Sequence, residues 1–233
     1  TAVEGALSGI TADALMLFAF FTLGAIYAAK RPGTRPAPLP AFRAVVVGYS
    51  LAGVFLGYVT LFYLGAIRFF NIWIPPNSVY SNILGTPFPF VQPLMISLSA
   101  AFSEEFSYRM LGVSFLQTVW RRKWPAVVVA ALLWGLAHSF YQVFPMYVRG
   151  IELTLFGIVL GLVYCRYGLE TVIVAHFVID AVLTCLPLFK THDPVLITGA
   201  AAVIAAGTLL PWLLRWRPPF PEPRIKTAAS EAS

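Results

Sequence analysis

Residues 88–120 read FPFVQPLMISLSAAFSEEFSYRMLGVSFLQTVW. Apolar and small residues fill both ends of this run, and Glu104, Glu105 and Arg109 stand in its middle. As one helix it would be ~50 Å long at ~1.5 Å per residue, more than the ~30 Å of a bilayer's hydrocarbon requires. Part of it is expected to project beyond the lipid, with Pro93 kinking it near its start. An ionisable side chain at membrane depth costs at least ~2.5–3.5 kcal/mol. The spacing eases that cost for one pair. Glu105 and Arg109 are four residues apart with the acid first, the better order for an ion pair on a helix. Glu104 points about 100° away around the helix, free of that pair.

The rest of the chain has the same solvent problem. Of its 233 residues, 59% are hydrophobic and only 11% charged, and mean hydropathy is +0.79. Soluble domains carry roughly 25% charged residues, so much of this apolar surface must face lipid. The fold class is therefore all-α, a polytopic transmembrane bundle of about seven helices. The apolar runs fall near residues 11–29, 42–67, 88–120, 125–141, 146–166, 169–188 and 194–216. Asp193 and Pro194 read as the N-cap and first residue of the last helix. Residues 1–216 form one transmembrane domain, and 217–233, rich in Pro, Ala and Ser, read as a disordered cytoplasmic tail.

Basic residues set the orientation. Lys30, Arg31, Arg35, Arg43, Arg121, Arg122, Lys123, Arg166, Arg215, Arg217, Arg224 and Lys226 fall on one side. Arg68, Arg149 and Lys190 fall on the other. The positive-inside rule then predicts seven crossings, N-terminus out and C-terminus in. The net charge of +6 marks topology rather than nucleic-acid binding, because these residues form no dense patch. The first run has no basic residue before it and reads as a retained helix rather than a cleaved signal. The chain opens on Thr1, which leaves room for residues upstream. Cys165 and Cys185 sit near opposite faces and read as small buried hydrophobes, without a disulfide or metal-ligand spacing.

His138, His176 and Asp180 also fall inside apolar runs. Measured along their helices from the inner face, Arg109 lies ~18 Å, Glu104 ~25 Å, His138 ~20 Å, His176 ~12 Å and Asp180 ~18 Å deep. Three helices thus place polar groups at similar depth, which predicts one polar site nearer the cytoplasm. His176 and Asp180 are four apart, so Asp180 is placed to orient the imidazole or to complete the site. His192, in a short outer loop, reads as non-functional.

Glu104-Glu105-Phe106-Ser107-Tyr108-Arg109, Trp134-Gly135-Leu136-Ala137-His138 and His176-Phe177-Val178-Ile179-Asp180 occur in this order on separate runs. Together they resemble the motifs of the CPBP family, the CAAX proteases and bacteriocin-processing enzymes, over a core of about residues 88–188. Trp134 stands where Phe is commoner in that family, and Asp180 where eukaryotic-type members have Asn. The resemblance implies an endopeptidase of the bacterial inner membrane acting on a peptide or membrane-protein substrate. It implies Glu104 as the base that activates a water, His138 as a holder of that water, and Glu105, fixed by Arg109, as a support. His176 and Asp180 would stabilise the oxyanion. No cofactor is expected; zinc held by Glu104, His138 and His176 is the alternative. Two other classes compete: a non-catalytic membrane adaptor or immunity protein, and an ion- or proton-coupled transporter. Against transport, the chain shows no inverted repeat and no matching pair of broken helices.

Overall fold

The structure is a computed structural model that describes residues 39–74, 81–141 and 143–215. The apolar run at 11–29 and the tail at 217–233 lie outside the described residues. The other six runs are helices: α1 (Ala41–Phe70), α2 (91–120), α3 (Lys123–Ala137), α4 (Tyr147–Tyr167), α5 (Leu169–Phe189) and α6 (Pro194–Arg215). A short 3-10 turn, Ser81–Gly85, precedes α2. Among the described residues there is no strand, only one bridge between Trp73 and Phe144. Four helices, α1, α4, α5 and α6, are long and apolar enough to cross a membrane. With large apolar side chains such as Phe42, Leu61, Phe70 and Leu213 facing outward, the chain is an integral membrane protein.

α5 is the axis of the bundle. Residues 171–179 are all buried, as expected for a helix that is apolar on every side. α1 reaches it through a stripe of small residues, Ala44, Gly48 and Ala52, all buried. A Cβ at Gly48 would sit 2.5 Å from Val174 Cγ1, so only glycine permits this approach. The α3–α4 pair uses the same device. Gly157-Ile158-Val159-Leu160-Gly161 is a G-x-x-x-G stretch, the pattern that lets membrane helices touch backbone to side chain. Gly157 lies against Trp134 and Ala131, and Gly161 against Val127.

Two contacts gather helix ends at opposite faces. At one face Arg215, ending α6, donates to Glu170 at the start of α5 and to the Leu39 carbonyl before α1. At the other, Trp73 after α1 and Phe144 after α3 exchange both backbone hydrogen bonds at 2.9 Å. At that end, Asp193 caps α6 by accepting from the Val195 amide at 2.7 Å, and Pro194 follows it, as the sequence predicts.

Two boundaries differ from the sequence reading. Pro93 falls in the first turn of α2, where its missing N–H interrupts nothing. The break in α2 comes later: α-helical Val91–Glu104 gives way to a π-helical segment, Glu105–Val113, before Ser114–Trp120 resumes as α-helix. The fourth run, read to Tyr141, ends as a helix at Ala137. The His138 amide turns back to the Gly135 carbonyl at 3.1 Å, while the His138 ring takes the Trp134 carbonyl that another α-turn would use. α3 is therefore only ~22 Å long, and residues 138–141 leave it as an irregular turn.

Candidate active site

The π-helical segment carries the first half of the site. Such segments are rare and tend to occur at functional positions. Within it, Arg109 Nη1 lies 3.0 Å from Glu105 Oε1, and both side chains are buried. The contact is ionic rather than an aligned hydrogen bond: among the described residues neither Nη1 nor Nη2 finds a hydrogen-bond acceptor. The guanidinium instead lies over Trp134, 4.3 Å from the ring centroid, a distance at which the ring face attracts a cation.

α5 contributes His176 and Asp180. His176 Nδ1 meets Glu105 Oε1 at 2.7 Å. A carboxylate only accepts, so Nδ1 donates. His176 Nε2 is then left facing Asp180 Oδ2 at 3.5 Å and Glu104 Oε2 at 3.8 Å. Glu105, on the neighbouring helix, therefore sets the ring's orientation more directly than Asp180 does. Glu105 also serves two partners, where the sequence assigned it one.

α3 contributes Trp134 and His138. The Trp134 indole N–H donates to Glu104 Oε2. His138 Nδ1 lies 2.8 Å from the Trp134 carbonyl, again an acceptor only, so the proton is on Nδ1. His138 Nε2 faces Glu104 Oε2 at 3.6 Å. All six residues picked from the sequence thus meet in one cluster across α2, α3 and α5.

Exposure divides the six. Glu105, Arg109 and His176 have side chains at most 7% exposed, whereas Glu104 and Asp180 are 23% exposed and His138 15%. The first three form a sealed base and the others a reachable rim. Glu104 also opens onto a cavity of about 450 Å³ between α2 and α3, lined by Ser103, Ser107, Tyr108, Gly112, Leu116, Ala130 and Leu133. That cavity follows α2 from Glu104 toward its C-terminal end.

The sequence reading missed part of the surroundings. Glu152 was not counted among the membrane-depth charges, and Arg149 was read only as a topology signal. Glu152 is fully buried and pairs with Arg149 Nη1 at 2.5 Å. Tyr63 donates to the same carboxylate oxygen at 2.8 Å. The Arg149–Glu152 spacing of three, inside an apolar run, was the available signal. Tyr141, which stacks on His138 with 5.5 Å between centroids, carried none.

As for metals, Glu104, His138 and His176 approach one another through Oε2 and the two Nε2 atoms. Among the described residues, however, no three His, Cys, Asp or Glu side chains are grouped to hold an ion. Both cysteines are free.

Residues 86–182 match the family described as type II CAAX prenyl endopeptidase Rce1-like. The sporulation-killing factor biosynthesis protein SkfC of Bacillus subtilis (strain 168) is 29% identical over 117 residues, half of this chain. The aligned stretch covers 24% of that protein's length. No solved structure matches. The matched stretch contains the whole cluster from Glu104 to Asp180, so the site lies within the part of the chain that is similar to the type II CAAX prenyl endopeptidase Rce1-like family.

Proposed function

We propose that the chain is an intramembrane endopeptidase that hydrolyses a peptide bond with a water activated by Glu104. One observation carries this reading: Glu104 Oε2 and His138 Nε2 lie 3.6 Å apart on the reachable rim of the site, and with the imidazole neutral and its proton on Nδ1 both are acceptors. Two acceptors so close repel unless something donates to both, and a water does so with its two hydrogens. Glu104 takes one proton as the water oxygen bonds to the peptide carbonyl carbon. The tetrahedral intermediate then breaks its C–N bond, and the protonated Glu104 returns that proton to the departing amine. The peptide is cut, the water is consumed and Glu104 is regenerated.

The remaining residues serve this step. The developing oxyanion needs a donor in a water-poor site, and His176 supplies one when a proton is on Nε2, with Asp180 beside it. Arg109 and Glu105 hold His176 from below. The reaction needs no metal, and zinc at Glu104, His138 and His176 is the alternative. Retention of activity after exhaustive chelation supports the metal-free path; loss restored by zinc alone overturns it.

The basic residues at the ends of α2, α4 and α6 favour that face as cytoplasmic, with seven crossings once the run at 11–29 is counted. The cavity beside Glu104 then admits substrate from the cytoplasmic half of the membrane. A relative named for biosynthesis of a sporulation-killing factor makes a biosynthetic peptide precursor one substrate to seek. The test is comparative proteomics of membranes carrying wild type or Glu104→Gln. A peptide terminus that appears only with wild type supports the reading and names the substrate. Unchanged termini, with cellular function intact, favour a non-catalytic adaptor.

A further inference from the structure

Arg149 and Glu152 form a charged pair within the bundle, outside the six residues above. Glu152 is fully buried, and the Arg149 side chain is 19% exposed. Tyr63 Oη donates to the Glu152 carboxylate, and Tyr58 Oη to its backbone carbonyl at 2.9 Å. Taking two charges from water costs several kcal/mol per ion, and an apolar pair of similar volume packs as well or better. Packing alone does not explain the pair. Arginine near the end of a membrane helix ordinarily extends toward water. Arg149 turns inward, and its Cζ lies 5.6 Å from the centroid of Tyr141.

Tyr141 has a second neighbour. Its ring and that of His138 are nearly parallel, at 22°. His138 lies just past the end of α3, so no further helical turn supports it. Its Nδ1 bond to the Trp134 carbonyl ties one edge of the ring. The Trp134 indole packs edge-on against the ring with centroids 5.2 Å apart, and the Tyr141 ring adds a further constraint that helps keep Nε2 aimed at Glu104.

We propose that the Arg149–Glu152 pair is a positioning device for His138 that acts through Tyr141. The proposal rests on the reading of His138 as the holder of the attacking water. Glu152 and Tyr63 fix Arg149, and Arg149 approaches Tyr141, whose ring in turn stacks on the imidazole. The series ties His138 to α1 and α4 as well as to its own helix. Arg149, Glu152 and Tyr141 are positioning residues, since none touches the reacting atoms.

The experiment uses the full chain in detergent micelles with isotope-labelled histidine. The chain holds three histidines, so each imidazole signal is assignable by substitution. The His138 Hε1 proton is expected to carry ring-current shifts from Trp134 and Tyr141, and Tyr141→Leu is expected to remove the Tyr141 contribution. Arg149→Met is expected to lose most of that contribution and to broaden the line, leaving His176 and His192 in place. Arg149→Met combined with Tyr141→Leu is expected to match Tyr141→Leu alone. Should Arg149→Met misfold because Glu152 is left unpaired, Arg149→Met/Glu152→Met removes both charges and keeps the question open to measurement. An unmoved His138 signal in a folded variant overturns the proposal, as do additive shifts in the double variant. This readout involves no peptide cleavage, so the Glu104→Gln comparison judges the hydrolytic reading separately.

Discussion

The indole N–H of Trp134 donates to the carboxylate of Glu104 across the contact between α2 and α3. The side chain proposed as the base is therefore held by a neighbour, while its remaining lone pairs face the cavity. The same ring lies over Arg109 on its face. One aromatic residue links the reachable rim to the sealed base.

Trp134→Phe separates these two contacts. Phenylalanine keeps a ring over Arg109 and loses the donor to Glu104. A hydrogen bond to a charged group contributes about 1.5–3 kcal/mol, so activity is expected to fall about tenfold or more. Unfolding temperature in detergent should fall as well, since a hydrogen bond and part of a buried ring are lost. A large stability loss with unaltered activity per folded molecule would contradict this division.

Glu104→Gln keeps the shape and can still accept from Trp134, but it cannot take a proton. Loss of a general base typically costs about 10²–10⁴-fold in rate. Single-turnover cleavage should drop within that range while protein level and thermal stability hold.

Arg109→Met leaves Glu105 buried without its cation. Stripping one partner from a buried ion pair costs about 3–5 kcal/mol. Arg109→Met/Glu105→Gln should recover much of that stability and remain inactive, because His176 then loses its carboxylate. Denaturant titration in micelles, paired with a cleavage assay, tests both halves.

Gly157→Val tests the α3–α4 contact. A Cβ at Gly157 would sit 2.9 Å from Trp134 Cε3 and 3.1 Å from Ala131 Cβ. Overpacking of this kind costs about 1–3 kcal/mol, and here it also displaces the donor to Glu104. Activity should fall further than it does in Trp134→Phe.

The orientation is checked by cysteine labelling in intact cells. A membrane-impermeant maleimide should react with His192→Cys, in the turn between α5 and α6, and spare Trp124→Cys, at the start of α3, until the membrane is opened. The reverse pattern would invert the bundle.

The polar cluster was legible because lipid makes charge conspicuous. Glu104, Glu105, Arg109, His138, His176 and Asp180 interrupt apolar runs, and helical rise alone placed them at similar depth. Helices α1 to α6 were legible for the same reason. What the sequence concealed depends on directions that periodicity does not carry. Nothing in the spacing of His176 and Asp180 shows that His176 donates to Glu105 on another helix. Glu152 escaped because Arg149, near the end of its run, read as a membrane-flank charge rather than as a partner. The fourth run looked helical to Tyr141 because side-chain capping by His138 leaves no mark on composition. The loop after α3 is held by Trp73, far away in sequence, and only the fold brings them together.

The π-helical segment in α2 has an evolutionary consequence. Its wider turns shift the face presented after Glu105, so Glu105 and Arg109 owe their setting to chain length as much as to chemistry. Loss of one residue between 105 and 113 would let regular α-helix run through α2 and rotate its two halves out of phase. The bundle could survive, because α5 still organises it, while the acid–base geometry is lost. A single in-frame codon deletion would thus be a short path from the proposed enzyme to a silent relative with the same membrane architecture.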